Sequence, residues 1–209
     1  MRSLGVEVIE KGHDFQDACD IADEIAIARD WHRFPNFHPL LVRGVGTFAL
    51  ELFRAVPDLD TVYVPVGLGS GICGVIAARD AFGLRTEVVA VVSASAPAFA
   101  LSYEQGRIAS HEVTTRVADG MACRTPIEPV LTVARNGAER VIRVSDEEVE
   151  SAMRALFADT HNTAEGAGAA ALAALLKEKE AMRGRKVAVV LSGGNVDSSQ
   201  FATILQNTH

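Results

Sequence analysis

Cysteine, lysine and long apolar runs are all scarce in this chain of 209 residues, and each scarcity removes a class of protein. Three cysteines, Cys19, Cys73 and Cys123, are an odd number without CxxC spacing, so the sequence carries neither a disulfide framework nor a zinc site. A reducing, cytoplasmic setting is expected. No apolar run approaches a membrane span, and the N-terminus lacks a charged-then-apolar signal pattern, so no membrane partner is expected. Lys+Arg of 20 against Asp+Glu of 27 leaves a net charge of -7, which argues against nucleic acid or an anionic membrane surface. Internal repeats and low-complexity tracts are missing too. What remains is ordinary for a globular protein: 48% hydrophobic and 22% charged residues, in a length that suits one well-buried domain with or without a small appendage.

The pattern along the chain alternates strands and helices. Residues 1–4 read as the tail of a helix that Gly5 stops, and Val6-Glu7-Val8-Ile9 reads as a strand, so the chain opens in the middle of an α/β pattern. Asp14 can cap a helix whose Ala18, Ile21, Ala22 and Ile25 recur at helical spacing. Two prolines make Phe34 to Pro39 a loop and the expected domain crossing. Gly44-Val45-Gly46-Thr47 then opens a helix that runs through Phe48, Leu52 and Phe53 to about Ala55. Strands are expected at Val62 to Val66, Glu87 to Val92, Val141 to Val144 and Val187 to Leu191, the last as a continuous apolar run buried on both faces. Helices are expected from Ile72 to Phe82, briefly between Pro97 and Gly106, after the capping box Ser145-Asp146-Glu147-Glu148, and in the Ala-rich run from Glu165. This order implies right-handed crossovers and a mostly parallel sheet in three layers, with helices on both faces. Residues 41–209 are assigned to that domain and residues 1–40 to the remnant of a smaller α/β unit.

Two turns carry the chemistry. Gly67-Leu68-Gly69-Ser70-Gly71 follows the first of the buried strands and opens a helix, so its backbone N–H groups and the positive end of the helix dipole suit an anion. Leu191-Ser192-Gly193-Gly194-Asn195 offers a hydroxyl, two small residues and an amide at a strand's carboxyl end, where open α/β sheets bind ligands. The first turn is no Walker loop, since no Lys-Ser/Thr pair follows. It also departs from a dinucleotide fingerprint, with Val92 and Ser93 where an acid would stand. A Rossmann-type nucleotide-binding protein is therefore the weakest reading of the chain.

Six motifs in order, Gly5-Val6-Glu7-Val8, Gly44-Val45-Gly46-Thr47, the first glycine turn, Ala118-Asp119-Gly120, Glu165-Gly166-Ala167-Gly168-Ala169 and Ser192-Gly193-Gly194-Asn195-Val196-Asp197, resemble the fold type II (β-family) pyridoxal-phosphate enzymes. The likeness is to the threonine/serine dehydratase (ammonia-lyase) group that includes serine racemases, and to its C-terminal portion. The resemblance implies that Gly67, Leu68, Gly69, Ser70 and Gly71 hold the 5'-phosphate of pyridoxal 5'-phosphate and that Ser192 hydrogen-bonds the ring nitrogen. Gly120, Glu165, Gly193 and Gly194 would lie around the ring. Family loops usually carry four successive glycines, which Leu68 and Ser70 interrupt here. For Glu165 an acid stabilised by a helix dipole is the simpler reading and does not exclude a role in the site. Relatives with a divalent cation carry an acid where the alignment places Val92, so no metal is expected.

The family's Schiff-base lysine, in a Ser-x-Lys-x-Arg-Gly type motif, has no counterpart among the four lysines of this chain, Lys11, Lys177, Lys179 and Lys186. Each of these reads as a solvated surface charge. The histidines offer no replacement base, although His161 lies closest in sequence to the pocket motifs. The resemblance therefore implies part of an enzyme that removes the β-hydroxyl of a hydroxy amino acid, giving a 2-oxo acid and ammonia. Alone, the chain is expected to lack a catalytic residue and to be inactive. A chain supplying the missing N-terminal part and a homodimer are the partners implied, and no regulatory module is read after the last motif. The alternative is a truncated, non-catalytic protein that binds pyridoxal phosphate, phosphate or a partner chain.

Overall fold

The computed structural model describes residues 2–207; Met1, Thr208 and His209, and with them the first residue of the expected helix tail, lie outside it. The chain divides into two compact units, residues 1–36 and residues 37–209.

In the first unit Arg2–Leu4 form one 3-10 turn, and Gly5 ends it with φ +76°. Asp14 caps helix α1 (Phe15–Ala28) by accepting from the Asp17 N–H at 2.9 Å, as the sequence implies. The expected strand at Val6 to Ile9 does not form. β-propensity alone cannot hold a strand, because the ladder's hydrogen bonds need a neighbour, and these residues have none among the described ones. Val6 is 51% exposed, and no residue of α1 is buried.

The second unit is built on a parallel sheet of four strands, β1 (Thr61–Pro65), β2 (Glu87–Ser93), β3 (Arg140–Val144) and β4 (Val187–Val189), in the order β3-β2-β1-β4. Side chains alternate across it. On one face Val62, Val64, Val88 and Ala90 pack beneath α3 (Thr47–Ala55), α4 (Ser70–Ala81) and α6 (Glu128–Gly137). On the other, Tyr63, Val89, Val91 and Val144 meet α7 (Asp146–Thr160) and α8 (Gly166–Lys177), whose alanines let it lie close to the strands. Helices thus cover both faces of a parallel sheet, the three-layer architecture that the strand and helix order implies.

Several elements depart from the sequence pattern. The expected helix from Gly44 is two helices, α2 (Pro39–Val45) and α3, parted at Gly46; His38 caps the first through Nδ1, which accepts from Leu40 N–H at 3.2 Å. Proline at the first helical turn loses no hydrogen bond, so the second of the two prolines starts a helix instead of extending the loop. α4 begins at Ser70, two residues before the expected start. α5 (Ala98–Gln105) closes on Gly106 at φ +72° as expected. Helices α6 and α9 (Ser198–Gln206) were not apparent in the sequence pattern. The last strand is shorter than its apolar run, three residues, and half-buried rather than covered on both faces, because it stands at the sheet's edge.

Candidate cofactor site

A cleft of about 650 Å3 opens at the carboxyl ends of β1 and β4. Parallel strands all point that way, so the turns that leave them gather on one side of the sheet. Gly67, Leu68, Gly69, Ser70 and Gly71 line the cleft, with Gly120 and Ser192. Val45, Phe48, Leu52, Val64 and Pro65 add an apolar wall, and residues 188–191 run along the far side. Phe48 and Leu52 belong to none of the pocket motifs; their four-residue spacing on α3 is the signal that places them on one face.

The first turn owes its shape to Gly69. It stands at φ +92°, immediately before α4, and offers no side chain to cap that helix. The leading N–H groups of α4 therefore have no side-chain acceptor from the cap position, and the helix dipole adds positive potential in the same place. Gly67 sets the depth of the cleft, since a Cβ there would come within 2.4 Å of the Gly120 carbonyl oxygen. The turn that carries Gly120 (residues 119–121) is held from behind by Asp146. One carboxylate oxygen of Asp146 accepts from Thr115 Oγ1 at 2.7 Å and the other from Arg116 N–H at 2.8 Å. Thr115 Oγ1 in turn accepts from Ala118 N–H at 3.1 Å. Asp146→Ala would leave these part-buried donors without their acceptor, so we expect it to lower unfolding free energy by about 1 kcal/mol, read by urea denaturation, and to weaken ligand binding in the cleft.

Glu165, Gly193 and Gly194 do not line the cleft. They form the layer behind it: the Glu165 N–H donates to the Gly193 carbonyl at 3.1 Å, and the Asn195 N–H donates to Glu165 Oε2 at 3.0 Å. Gly194 sits against the Thr163 carbonyl, which a Cβ would meet at 2.5 Å. His161 is the C-cap of α7 at φ 57° and also lies outside the lining. Burial pushes the Cys73 thiol, in the first turns of α4, up to about 11, which keeps it in the thiol form at neutral pH.

None of the three lysines in this unit reaches the cleft. Lys186 precedes β4 at the amino end of the sheet and pairs with Asp58. Lys177 ends α8, the helix that Glu165 begins, and pairs with Glu148 at 3.0 Å. Twelve helical residues put about 17 Å between the two ends of α8. Lys179 follows still further along the chain.

Residues 1–193 match the family described as Pyridoxal-phosphate dependent enzyme. The chain belongs to that family. Among curated relatives it is 33% identical over 207 residues to the L-threonine ammonia-lyase of Thermotoga maritima, covering 98% of this chain and 51% of that protein. It is 32% identical over 201 residues to the L-threonine dehydratase catabolic TdcB of Escherichia coli strain K12, covering 95% of this chain and 61% of the relative. The processed form of threonine deaminase isoform 2 from Solanum lycopersicum superposes with a TM-score of 0.87 at 25% identity, over 97% of this chain and 60% of that one. The chain thus spans about half to three fifths of the length of these pyridoxal-phosphate dependent relatives. Membership makes pyridoxal 5'-phosphate the cofactor against which the cleft is to be tested, and the residues present fit it. A row of helix N–H groups without a side-chain cap suits a phosphate, and the cleft of about 650 Å3 has the volume for a flat ring beside it. The Ser192 hydroxyl also stands among the lining residues.

Proposed function

We propose that this chain is the cofactor-domain part of a pyridoxal-phosphate-dependent ammonia-lyase acting on a hydroxy amino acid such as threonine or serine. The observation that carries the reading is the convergence of two turns, far apart in sequence, on one cleft: an uncapped helix N-terminus at Gly69 and a serine hydroxyl at Ser192. When bound, pyridoxal phosphate supplies an electron-withdrawing ring and so acidifies the α-carbon of an amino acid joined to it.

The chain's own residues would bind and orient that group. Backbone N–H groups of Gly69, Ser70 and Gly71 and the Ser70 hydroxyl would hold the phosphate, where the dipole of α4 favours negative charge. Ser192 Oγ would hydrogen-bond the ring nitrogen. Being neutral, it does not hold a proton on that nitrogen as a carboxylate would, which favours elimination over transamination. Phe48 and Leu52 give the cleft an apolar wall against which the ring would pack. The α-proton requires a base, and no lysine of the second unit is near enough to serve. Lys11, in the first unit, stands in no motif of the Schiff-base type, so our reading puts the Schiff-base lysine of the complete enzyme outside residues 1–209.

A second reading, a non-catalytic binding protein completed by a partner chain, draws on β4. Among the described residues it pairs only with β1 and leaves its other edge open. A homodimer is proposed from the family alone. Incubation with pyridoxal phosphate, borohydride reduction and peptide mass mapping separates the possibilities. We expect retained cofactor with no specific lysine adduct and no release of ammonia from threonine or serine. A single stoichiometric adduct at Lys11, Lys177, Lys179 or Lys186 would contradict the assignment.

A further inference from the structure

Resting on that reading, we propose that Glu165 is a positioning residue: its carboxylate clamps the turn at 192–195 and so fixes where the Ser192 hydroxyl stands for the ring nitrogen. The same geometry assigns the absence of a side chain at Gly193 to the clamp and not to the cofactor. Glu165 stands at the N-cap of α8, yet its side chain makes no capping bond to that helix. It turns instead toward the end of β4, where Oε2 accepts from the Asn195 N–H at 3.0 Å. Its own N–H reaches the Gly193 carbonyl at 3.1 Å, so the turn is gripped on both sides of Gly194, at the peptide group that follows Gly193 and at Asn195.

Gly193 is not in the left-handed region, so its backbone conformation does not require glycine. Space does. A Cβ on Gly193 would stand 2.6 Å from Glu165 Oε1 and 2.8 Å from Cδ. The missing side chain therefore points at the carboxylate, while the preceding residue, Ser192, faces the cleft. A Cβ on Gly120 would also come to 3.7 Å from Oε1, so one carboxylate lies behind both the ring-side turn and the Ser192 turn. Because the two partners are 30 residues apart, losing the clamp frees the Ser192 hydroxyl without removing any group that lines the cleft.

The test compares pyridoxal 5'-phosphate with its 1-deaza analogue, which lacks the ring nitrogen, by fluorescence titration of the 209-residue chain. The wild-type chain is expected to bind the natural cofactor about tenfold more tightly, the worth of one hydrogen bond. Glu165→Ala and Gly193→Ala each bring that ratio close to one while affinity for the deaza analogue changes little. Glu165→Gln, which keeps an acceptor oxygen, restores most of it. A merely destabilised site would lose both ligands alike. In urea, Gly193→Ala lowers the midpoint by roughly half a molar in the wild-type background and by little when Glu165→Ala is already present, because the clash is gone. A full ratio in Glu165→Ala, or additive costs in urea, overturns the clamp. A wild-type chain that does not distinguish the ligands refutes the role of Ser192, and the urea cycle then upholds or overturns the Glu165 to Gly193 coupling on its own.

Discussion

Gly69→Ala is expected to cost about 3 kcal/mol of unfolding free energy and to abolish retention of pyridoxal phosphate. Two independent effects add. At φ +92° an L-residue carries the left-handed penalty of about 1–2 kcal/mol. The added methyl would also fall 2.2 Å from Val130 Cγ1 and 3.3 Å from its Cβ. Val130 is buried in α6 and cannot swing aside, so α6 or the turn itself must shift, at about 1–3 kcal/mol. Moving the turn moves the N–H groups that begin α4, and binding goes with stability. Equilibrium urea denaturation gives the first number and a cofactor titration the second. The contrasting control is Gly83→Ala, also at positive φ but with open space around its Cβ, which is expected to show the backbone penalty without loss of binding.

Glu178→Ala is expected to destabilise the domain by about 3 kcal/mol, at the end of the sheet away from the cleft. Glu178 takes a two-pronged bond from Arg140, Nε to Oε1 at 2.9 Å and one terminal nitrogen to Oε2 at 2.6 Å, and accepts the buried Tyr63 hydroxyl at 2.7 Å. Arg140 also reaches Glu87 at 3.4 Å, and Arg185 closes the chain on Glu87 at 2.9 Å. Removing the carboxylate leaves a phenol hydroxyl and a guanidinium beside apolar strands with one strong partner fewer. Burial, then the bond to Glu178, holds the Tyr63 hydroxyl above its ordinary pKa, so it stays a donor across the usual range.

The same carboxylates set the acid limit. The Arg140 bond holds the Glu178 carboxyl below its ordinary value, and Arg185 does so for Glu87. In each case the folded protein releases the proton more readily than the unfolded chain. The stabilisation is therefore complete above the unfolded value, near 4.5, and is lost as pH falls through the lowered folded one. Wild-type stability should drop steeply below about pH 4.5, and Glu178→Ala should show a shallower slope there. Thermal unfolding between pH 3 and 7 reads both; an unchanged acid slope in the variant would contradict the account.

Local chemistry explains which parts of this structure can be read from its residues. The β-branched runs at Val62 and Val88 face helices on both sides, so a continuous apolar run means a buried parallel strand there. At Val187 the same pattern misleads, because strand order puts β4 at an edge and no local feature reveals strand order. Val6 to Ile9 misleads for a related reason, since a strand is a property of a pair. α6 begins with Glu128 and Pro129 and ends in Asn136 and Gly137, a composition that looks like loop, yet it buries Val130, Leu131 and Ala134. Packing, not propensity, makes it a helix. In the cleft, the glycine turn and Ser192 are legible because turn chemistry is local. The bond from Asn195 to Glu165 spans 30 residues and becomes visible only when α8 and the end of β4 lie side by side.

If Gly67 to Gly71 and Ser192 form one site for a phosphate-bearing ring, as we propose, the phosphate carries much of the affinity. Equilibrium dialysis of the chain against pyridoxal 5'-phosphate and, separately, pyridoxal tests it most directly. Saturable one-to-one binding of the phosphate ester is expected, with at least tenfold weaker binding of pyridoxal and loss of the ester's advantage in Gly69→Ala. Equal affinity for the two ligands, or retention undiminished in Gly69→Ala, would contradict it.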